Sequence, residues 1–356
     1  MAEVIMKGNE ALAEGALRAG CGFFSGYPIT PQNEILEYLS RRMPEAGGAF
    51  VQAESELAAI NMVLGAASAG ARSMTASSGP GFSLLQEGIS YLIAADLPAV
   101  IVDVARFGSG IGEISQGQCD YKLVTRGNGH GDSHLIVLAP ASVQESADFV
   151  SLAFRLAEEY LHPVIILSDA AIGQMVEPVE LPAQEQISID RFDWAVKGCP
   201  KTDPPRKVTN IFYYMDDYNS FLRAKYQAMT DNEQRWESDR VEDAELVLVA
   251  YGISARIAGE AVQMARKRGL KLGLIRPITL YPFPVRAFVE LPACRCLMTV
   301  EMSITGQMAE DVRLAVACRR PVHTFGTGIK VPSSQDIVRH AERLLTGNAT
   351  GAEEVF

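Results

Sequence analysis

The chain is predicted to be an α/β protein made of two parallel-sheet domains. Three observations predict this. Short apolar, branched runs alternate with helical patterns through the first half. The alternation degrades between about residues 186 and 240, where "CPKTDPPRKVTN" is proline-rich and "DNEQRWESDRVED" is charged. It then restarts and runs to about residue 350. Strand–helix alternation with fully apolar strands implies a parallel sheet covered on both faces. A length of 356 residues agrees with two domains at roughly 150 residues each. The expected boundaries are 1–185 and 241–350, joined by a linker over 186–240.

In order, "GYPITPQNEIL" (26–36) sets two prolines around Ile29-Thr30 and then opens an amphipathic pattern, which puts the Thr30 hydroxyl at the mouth of a helix. "AFVQAE" (49–54) reads as a strand feeding a helix from Glu56 to Gly70. "ARSMTAS" (71–77) is a strand, and "SGPGFS" (78–83) a tight loop, because Gly-Pro-Gly cannot continue one. The helix "LLQEGISYLIAA" follows, then the strands "PAVIVDVA" (98–105) and "LIVLAP" (135–140). Ser142 and Glu145 have capping-box spacing at the head of a long helix. "PVIILSD" (163–169) closes the unit. A short helix is expected in "YNSFLRAKYQAM" of the linker. The second domain reads as the strand "AELVLVAYG", a helix stopped by glycine, the strand "LKLGLIRP", and a short helix after Pro284. The strand "CLMTVE", a helix, the strand "PVHTFG" and a last helix over 333–346 complete it.

Composition narrows the function. The net charge is −11, with no basic cluster dense enough to track a nucleic-acid backbone. No stretch of about 18 apolar residues suggests a membrane span, and the N-terminus does not read as a signal peptide, so a cytoplasmic location is expected. Cys21, Cys119, Cys199, Cys294, Cys296 and Cys318 are scattered, without the spacing of a disulfide framework, a zinc site or an iron–sulfur site. They read as ordinary thiols, so any electron carrier is expected on another chain, and no metal ligand is assigned.

Ligands of open parallel sheets sit beyond the carboxyl ends of the strands. This points to the loops at 25–31, 54–56, 77–83 and 105–118. In Glu54-Ser55-Glu56, a carboxylate lies at a strand-to-helix junction against an apolar helix, placed either to share a proton with a ring nitrogen or simply to cap the helix. Arg106 ends a strand and offers a fork for a carboxylate, or a partner for a surface acid. "GSGIG" lacks the G-x-G-x-x-G spacing and its strand–helix context, which excludes a nicotinamide fingerprint. "SSGPGFSL" (77–84) lets backbone approach a ligand closely, or is only a turn. "GNGHGDSH" (127–134) carries His130, Asp132 and His134 and reads as a structural or rim loop rather than a metal site. Neither a G-x-S-x-G elbow nor a P-loop occurs.

Taken together, "GYPITP", "SGPGF", "GHGD", "RPITLYPFP" and "VEMSITGQMAEDV", in this order, resemble the alpha-type subunit of the 2-oxoacid:ferredoxin oxidoreductases. The similarity runs over about 5–345 and is nearest to the 2-oxoisovalerate, branched-chain type. It implies transketolase-like pyrimidine and C-terminal domains, with thiamine diphosphate shared with a beta-type subunit. By the same resemblance, Glu56 bonds the cofactor's aminopyrimidine, Thr30 contacts the oxoacid, Arg106 pairs with the substrate carboxylate, and Tyr27, Gly79, Pro80 and Phe82 line the cofactor site. It further implies coenzyme A, ferredoxin as electron acceptor, and gamma-type and ferredoxin-like partner subunits. Mg2+ and [4Fe-4S] clusters are expected on partners. Phenylglyoxylate, pyruvate and 2-oxoglutarate are alternative substrates, and a non-catalytic scaffold is an alternative role. Phe107 stands where the family carries glycine, either narrowing the pocket or stacking on an aromatic oxoacid.

Overall fold

The structure is a computed structural model that describes residues 3–188, 192–196, 198, 216–289, 291 and 294–347. Cys199 and the proline-rich stretch 199–210 lie outside the described residues, as do 348–350 of the expected second domain.

The first half contains β1 (Glu3–Lys7), α1 (Gly8–Arg18), β2 (Phe23–Gly26), α2 (Asn33–Glu45), β3 (Ala49–Gln52), α3 (Glu56–Ser68), β4 (Ser73–Ser77) and α4 (Pro80–Ala94). It continues with β5 (Ala99–Phe107), β6 (Glu113–Gln116), β7 (Ile136–Leu138), α5 (Val143–Tyr160), β8 (Pro163–Asp169), α6 (Ala170–Gln174) and β9 (Val176–Glu180). After α7 (Tyr218–Asn232) come β10 (Trp236–Asp239), β11 (Leu246–Ala250), α8 (Gly252–Lys267), β12 (Leu272–Pro277), β13 (Thr279–Tyr281) and α9 (Arg286–Val289). The last elements are β14 (Cys296–Glu301), α10 (Ala309–Ala315), β15 (Val322–Gly326) and α11 (Ser334–Thr346).

The main sheet has the order β13-β7-β8-β5-β4-β2-β3, with β6 folding back on β5. From β7 to β3 its strands are parallel, and β13 is antiparallel. The second sheet runs β10-β12-β11-β14-β15, antiparallel only at β10. Period-two alternation along β5 explains its double burial. Val100, Val102 and Val104 enter the core under α1, α2 and α5, while Ala99, Ile101 and Ala105 enter the core under α3 and α4. That second core continues without a break into Val247, Val249, Ile275 and Leu297 of the other sheet. The two sheets therefore share apolar contacts.

Four differences from the sequence reading have physical causes. The Gly-Pro-Gly run opens α4 rather than forming a loop, with Gly79 at φ +48° before it and Pro80 in its first turn. Proline is tolerated there because the first helical N–H has no intrahelical partner anyway. Ser142 Oγ accepts from Glu145 N at 3.1 Å, but the Glu145 carboxylate reaches Ala141 N at 2.8 Å and Arg276, so only half of the capping box forms. β8 does not close the first unit: β13, inside "RPITLYPFP", crosses over to pair with β7. Besides the expected helix, α7, the linker holds the edge strand β10, whose exposed, charged residues hide it from any apolar pattern.

Arg72 ties β4 to both flanks. Its Nε and Nη2 meet Glu158 at 2.6 and 2.9 Å, and Nη1 reaches Glu185 at 2.7 Å and the Ala19 carbonyl. The arginine is buried, so losing it removes the cation that both carboxylates share. Arg72→Met is expected to lower unfolding stability by about 3 kcal/mol, as breaking a buried pair does. An unchanged denaturant midpoint would contradict this.

Candidate active site

β2 connects outward to β3, whereas β4 connects the other way to β5. The loops after β2 and β4 diverge, and a crevice opens at this switch point. Thr30, Glu56, Gly79 and Arg106 come from the segments around it.

The Thr30 loop is held from below. The Pro31 carbonyl accepts Asn9 Nδ2 at 2.7 Å and Gln174 Nε2 at 3.3 Å, and both amides also reach Glu34, at 3.0 and 2.9 Å. Gln32 Nε2 donates back to the Tyr27 carbonyl at 3.1 Å. Thr30 itself is exposed, and its Oγ1 accepts from Asn33 Nδ2 at 3.3 Å. Tyr27 is exposed at the same rim.

Helix capping falls to Ser55, not to a glutamate: Ser55 Oγ accepts from Ala58 N at 3.2 Å. Glu56 is released from that duty and is buried, while Glu54 is exposed. Ser77 Oγ, at the end of β4, donates to Glu56 Oε1 at 3.4 Å. Gly81 makes the room. A Cβ there would lie 2.2 Å from Glu56 Oε1 and 2.3 Å from Ser77 Oγ. The small residues of "SSGPGF" thus let α4 start against a carboxylate.

Arg106 is buried at 6% exposure. Its Nη1 donates to the Thr30 carbonyl at 2.7 Å and its Nη2 to the Ile111 carbonyl, while its Nε has no hydrogen-bond partner. Gly79 permits this approach, since a Cβ there would lie 3.3 Å from Nε. The arginine therefore closes the hairpin of β5 and β6 onto the Thr30 loop, and it is not a surface ion pair. Pro80 is half-buried beside Gly79. Phe82 corrects an expectation: it has no exposed surface and packs in the shared core, so in this structure it is a packing residue rather than a ligand contact. Phe107 points the other way from Arg106 along the strand, and its ring lies in contact range of Gly328, near Ile304, in the second domain.

The sequence reading missed two carboxyls, Asp103 and Asp120. Burial, followed by the charge of Asp120, pushes Asp103 well above the ordinary carboxylate range, against the opposing pull of Arg106 and the Gly79 amide. Burial pushes Asp120 up to about 6, also against Arg106 and nearby amides. Neither oxygen of Asp103 makes a hydrogen bond of normal geometry. No pattern announces the pair, because one lies mid-strand in an apolar run and the other in a loop.

Thr30, Pro31, Gln116, Ile114, Gln174 and Ile329 line a cleft of about 430 Å³ beside this crevice. In the loop 127–134, His130 and Asp132 are exposed, while His134 stacks on Tyr281 at 4.9 Å and accepts His162 Nε2 on its carbonyl at 2.8 Å. Among the described residues, no group of three or more His, Cys, Asp or Glu is placed to hold a metal ion.

A parallel sheet with a buried acid and a buried arginine in the loops around its switch point is the framework of a ligand-binding α/β protein. The comparisons carry this to a family. The description "Pyruvate flavodoxin/ferredoxin oxidoreductase, thiamine diP-bdg" matches residues 14–240, and "Pyruvate:ferredoxin oxidoreductase core domain II" matches 244–337. The chain belongs to this oxidoreductase family. It is 54% identical to the ketoisovalerate oxidoreductase subunit VorB of Methanothermobacter marburgensis, over 95% of this chain and 97% of that one. It is 37% identical to the 2-oxoglutarate synthase subunit KorA of Methanocaldococcus jannaschii, over 86% and 90% of the two chains. A solved 2-oxoglutarate:ferredoxin oxidoreductase from Magnetococcus marinus, with 2-oxoglutarate, coenzyme A and succinyl-CoA bound, superimposes with a TM-score of 0.83 at 28% identity. That match covers 96% of this chain and 65% of the other.

The carboxyl pair has a measurable signature. A raised value in the folded state means that folding tightens proton binding, so stability falls as pH rises from the ordinary carboxylate range through about 6 and beyond. Asp103→Asn imitates the protonated form at every pH. Its thermal midpoint is expected to gain on the parent protein between acidic and mildly alkaline buffer. A difference constant with pH would show that the pair does not titrate as described.

Proposed function

We propose that this chain is the alpha-type subunit of a 2-oxoacid:ferredoxin oxidoreductase whose substrate is 2-oxoisovalerate, converted oxidatively to its acyl-CoA. The observation that carries the catalytic reading is Glu56: a buried carboxylate relieved of helix capping, at the switch point, in a cradle that one methyl group at Gly81 would fill. The substrate reading is supported by the 54% identity to a ketoisovalerate enzyme subunit, against 37% to a 2-oxoglutarate one.

The residues fit thiamine diphosphate. Glu56 is the group that holds the aminopyrimidine, with Gly79, Pro80 and the exposed Tyr27 at the rim. When bound, the cofactor supplies the electron sink for decarboxylation. Glu56 holds and returns the proton at the pyrimidine ring nitrogen, in a site where Ser77 and the head of α4 exclude water. Thr30 presents a hydroxyl toward the oxoacid. Arg106 supplies the positive charge for the substrate carboxylate, through a guanidinium already oriented by two carbonyls.

Partners are part of this reading. α3 has few polar residues, yet Leu57 and Met62 are exposed on it, with Leu84 and Tyr91 exposed on the neighbouring α4. Exposed apolar surface of this kind marks an interaction site. The cover we propose is the beta-type subunit, carrying the diphosphate and its Mg2+. The [4Fe-4S] clusters are assigned to beta-type and ferredoxin-like subunits, with a gamma-type subunit completing the complex and ferredoxin accepting electrons. A cytoplasmic location goes with this role. Among the described residues, no helix is long and apolar enough to cross a membrane.

The test is the co-purified complex, assayed with viologen dye against 2-oxoisovalerate, phenylglyoxylate, pyruvate and 2-oxoglutarate. The highest kcat/KM is expected for 2-oxoisovalerate. Glu56→Gln is expected to assemble normally and to lose on the order of 10²-fold or more in turnover. Full turnover in that variant would leave the chain a non-catalytic scaffold.

A further inference from the structure

Gln118 is buried at 1% exposure, two residues beyond the strand that pairs with Arg106. Its side chain is saturated by groups from elsewhere. Nε2 donates to the Tyr251 carbonyl at 3.0 Å and reaches Asp169 Oδ2 at 3.5 Å. Oε1 accepts from Ser254 Oγ at 2.8 Å and from Met302 N at 3.0 Å. Its backbone N donates to the Met302 carbonyl at 2.8 Å. Tyr251, Ser254 and Met302 all belong to the second domain, at the carboxyl ends of β11 and β14. Asp169 ends β8 of the first, and it also accepts Ile253 N at 2.9 Å. Gly252, at φ +56°, gives the space: a Cβ there would lie 2.4 Å from Asp169 Oδ2 and 2.9 Å from Gln118 Nε2.

The path from this knot to the crevice is short and stiff. Gly117 presses on the backbone of Phe107, where a Cβ would lie 2.8 Å from the Phe107 Cα. Gln116 pairs directly with Arg106, and Arg106 holds the hairpin tip and the Thr30 loop through their carbonyls. We infer that Gln118 is a positioning residue through which the second domain holds the Arg106 hairpin in register for the 2-oxoacid. This deepens, and rests on, the function proposed above. An amide is required because Nε2 must donate while Oε1 accepts, which neither an aliphatic side chain nor an ionised acid can do.

Gln118→Glu keeps the shape and both accepting contacts but sets a second carboxyl against Asp169. Two adjacent carboxyls cannot both ionise cheaply, so one proton shared at low pH restores a donor and its loss at high pH creates repulsion. The other titratable groups around the knot are Tyr251, which touches the Gln118 carbonyl, together with Cys119, Asp120 and Glu301, whose charges bear on that tyrosine. All of them are common to parent and variant, so the pH signature is read as the difference between the two.

The assembled complex is assayed at about pH 6 and about pH 8.5, on either side of that proton loss. For Gln118→Glu, the oxoacid KM is expected to rise on the order of ten- to a hundred-fold at the higher pH, as small misplacements of a binding group do. It should recover toward the parent at the lower pH, with kcat largely kept. Hydrogen exchange of amides 107–116 should quicken at the higher pH only. Parent-like KM and exchange at both pH values overturn the inference, as does a pH-independent fall of kcat and melting temperature together. If Gln118→Glu does not fold, Ser254→Ala decides, because that hydroxyl donates to Gln118 Oε1. A raised KM with quickened hairpin exchange then supports the inference, and parent-like values overturn it. Absence of oxoacid-dependent turnover in the parent complex overturns the functional reading instead, and the exchange data still decide the positioning.

Discussion

Arg106 is a permanent cation kept almost wholly out of water, and the crevice is organised around keeping it there. Such a group is tolerated inside only if its hydrogen bonds and its charge are both answered. Two carbonyls take the hydrogen bonds of Nη1 and Nη2, while Nε is left without one. Asp103 and Asp120 answer the charge, while the same burial raises both above the ordinary carboxylate range. Gly79 is bare because the guanidinium passes beside its Cα. The Thr30 loop is fixed twice, by Arg106 on one side and by Asn9 and Gln174 on the other. Cation, hydroxyl and the Glu56 carboxylate therefore come to the crevice already oriented, which limits what a ligand must reorganise on binding.

What could be read from the sequence follows burial. "PVIILSD" and "CLMTVE" coincide with β8 and β14 to the residue, because strands buried on both faces are written as unbroken apolar runs. β1, β6, β9 and β10 were not legible, because they are edge or hairpin strands whose exposed residues carry no alternation. The start of α4 was misplaced because glycine and proline mark the end of one element and the beginning of the next with the same letters. At the site, the motifs drew attention to Thr30, Glu56 and Arg106; Arg106 holds the Thr30 carbonyl, and Glu56 lies against Ser77 at the head of α4. Phe82 lies on the core side of α4, which the motif does not say. Asp120 and Gln118 had no local signal at all. Each is one polar residue in an irregular loop, and the partners of Gln118 lie from 51 to 184 residues away.

The two sheets are less separable than their sequence patterns suggest. They share an apolar core, and the knot at Gln118 joins their carboxyl ends. The second domain therefore has a structural bearing on the crevice: Ile329 lines the cleft beside Thr30, and Phe107 adds a further point of contact at Gly328.

The crossing of β13 has a consequence for biogenesis. The last strand of the first sheet is Thr279–Tyr281, which is translated more than a hundred residues after β8. A nascent chain emerging from the ribosome cannot complete that sheet until most of the polypeptide has been synthesised. Until then the outer edge of β7 stays unpaired, a template for wrong strand partners, and it is the point at which a chaperone has most to protect.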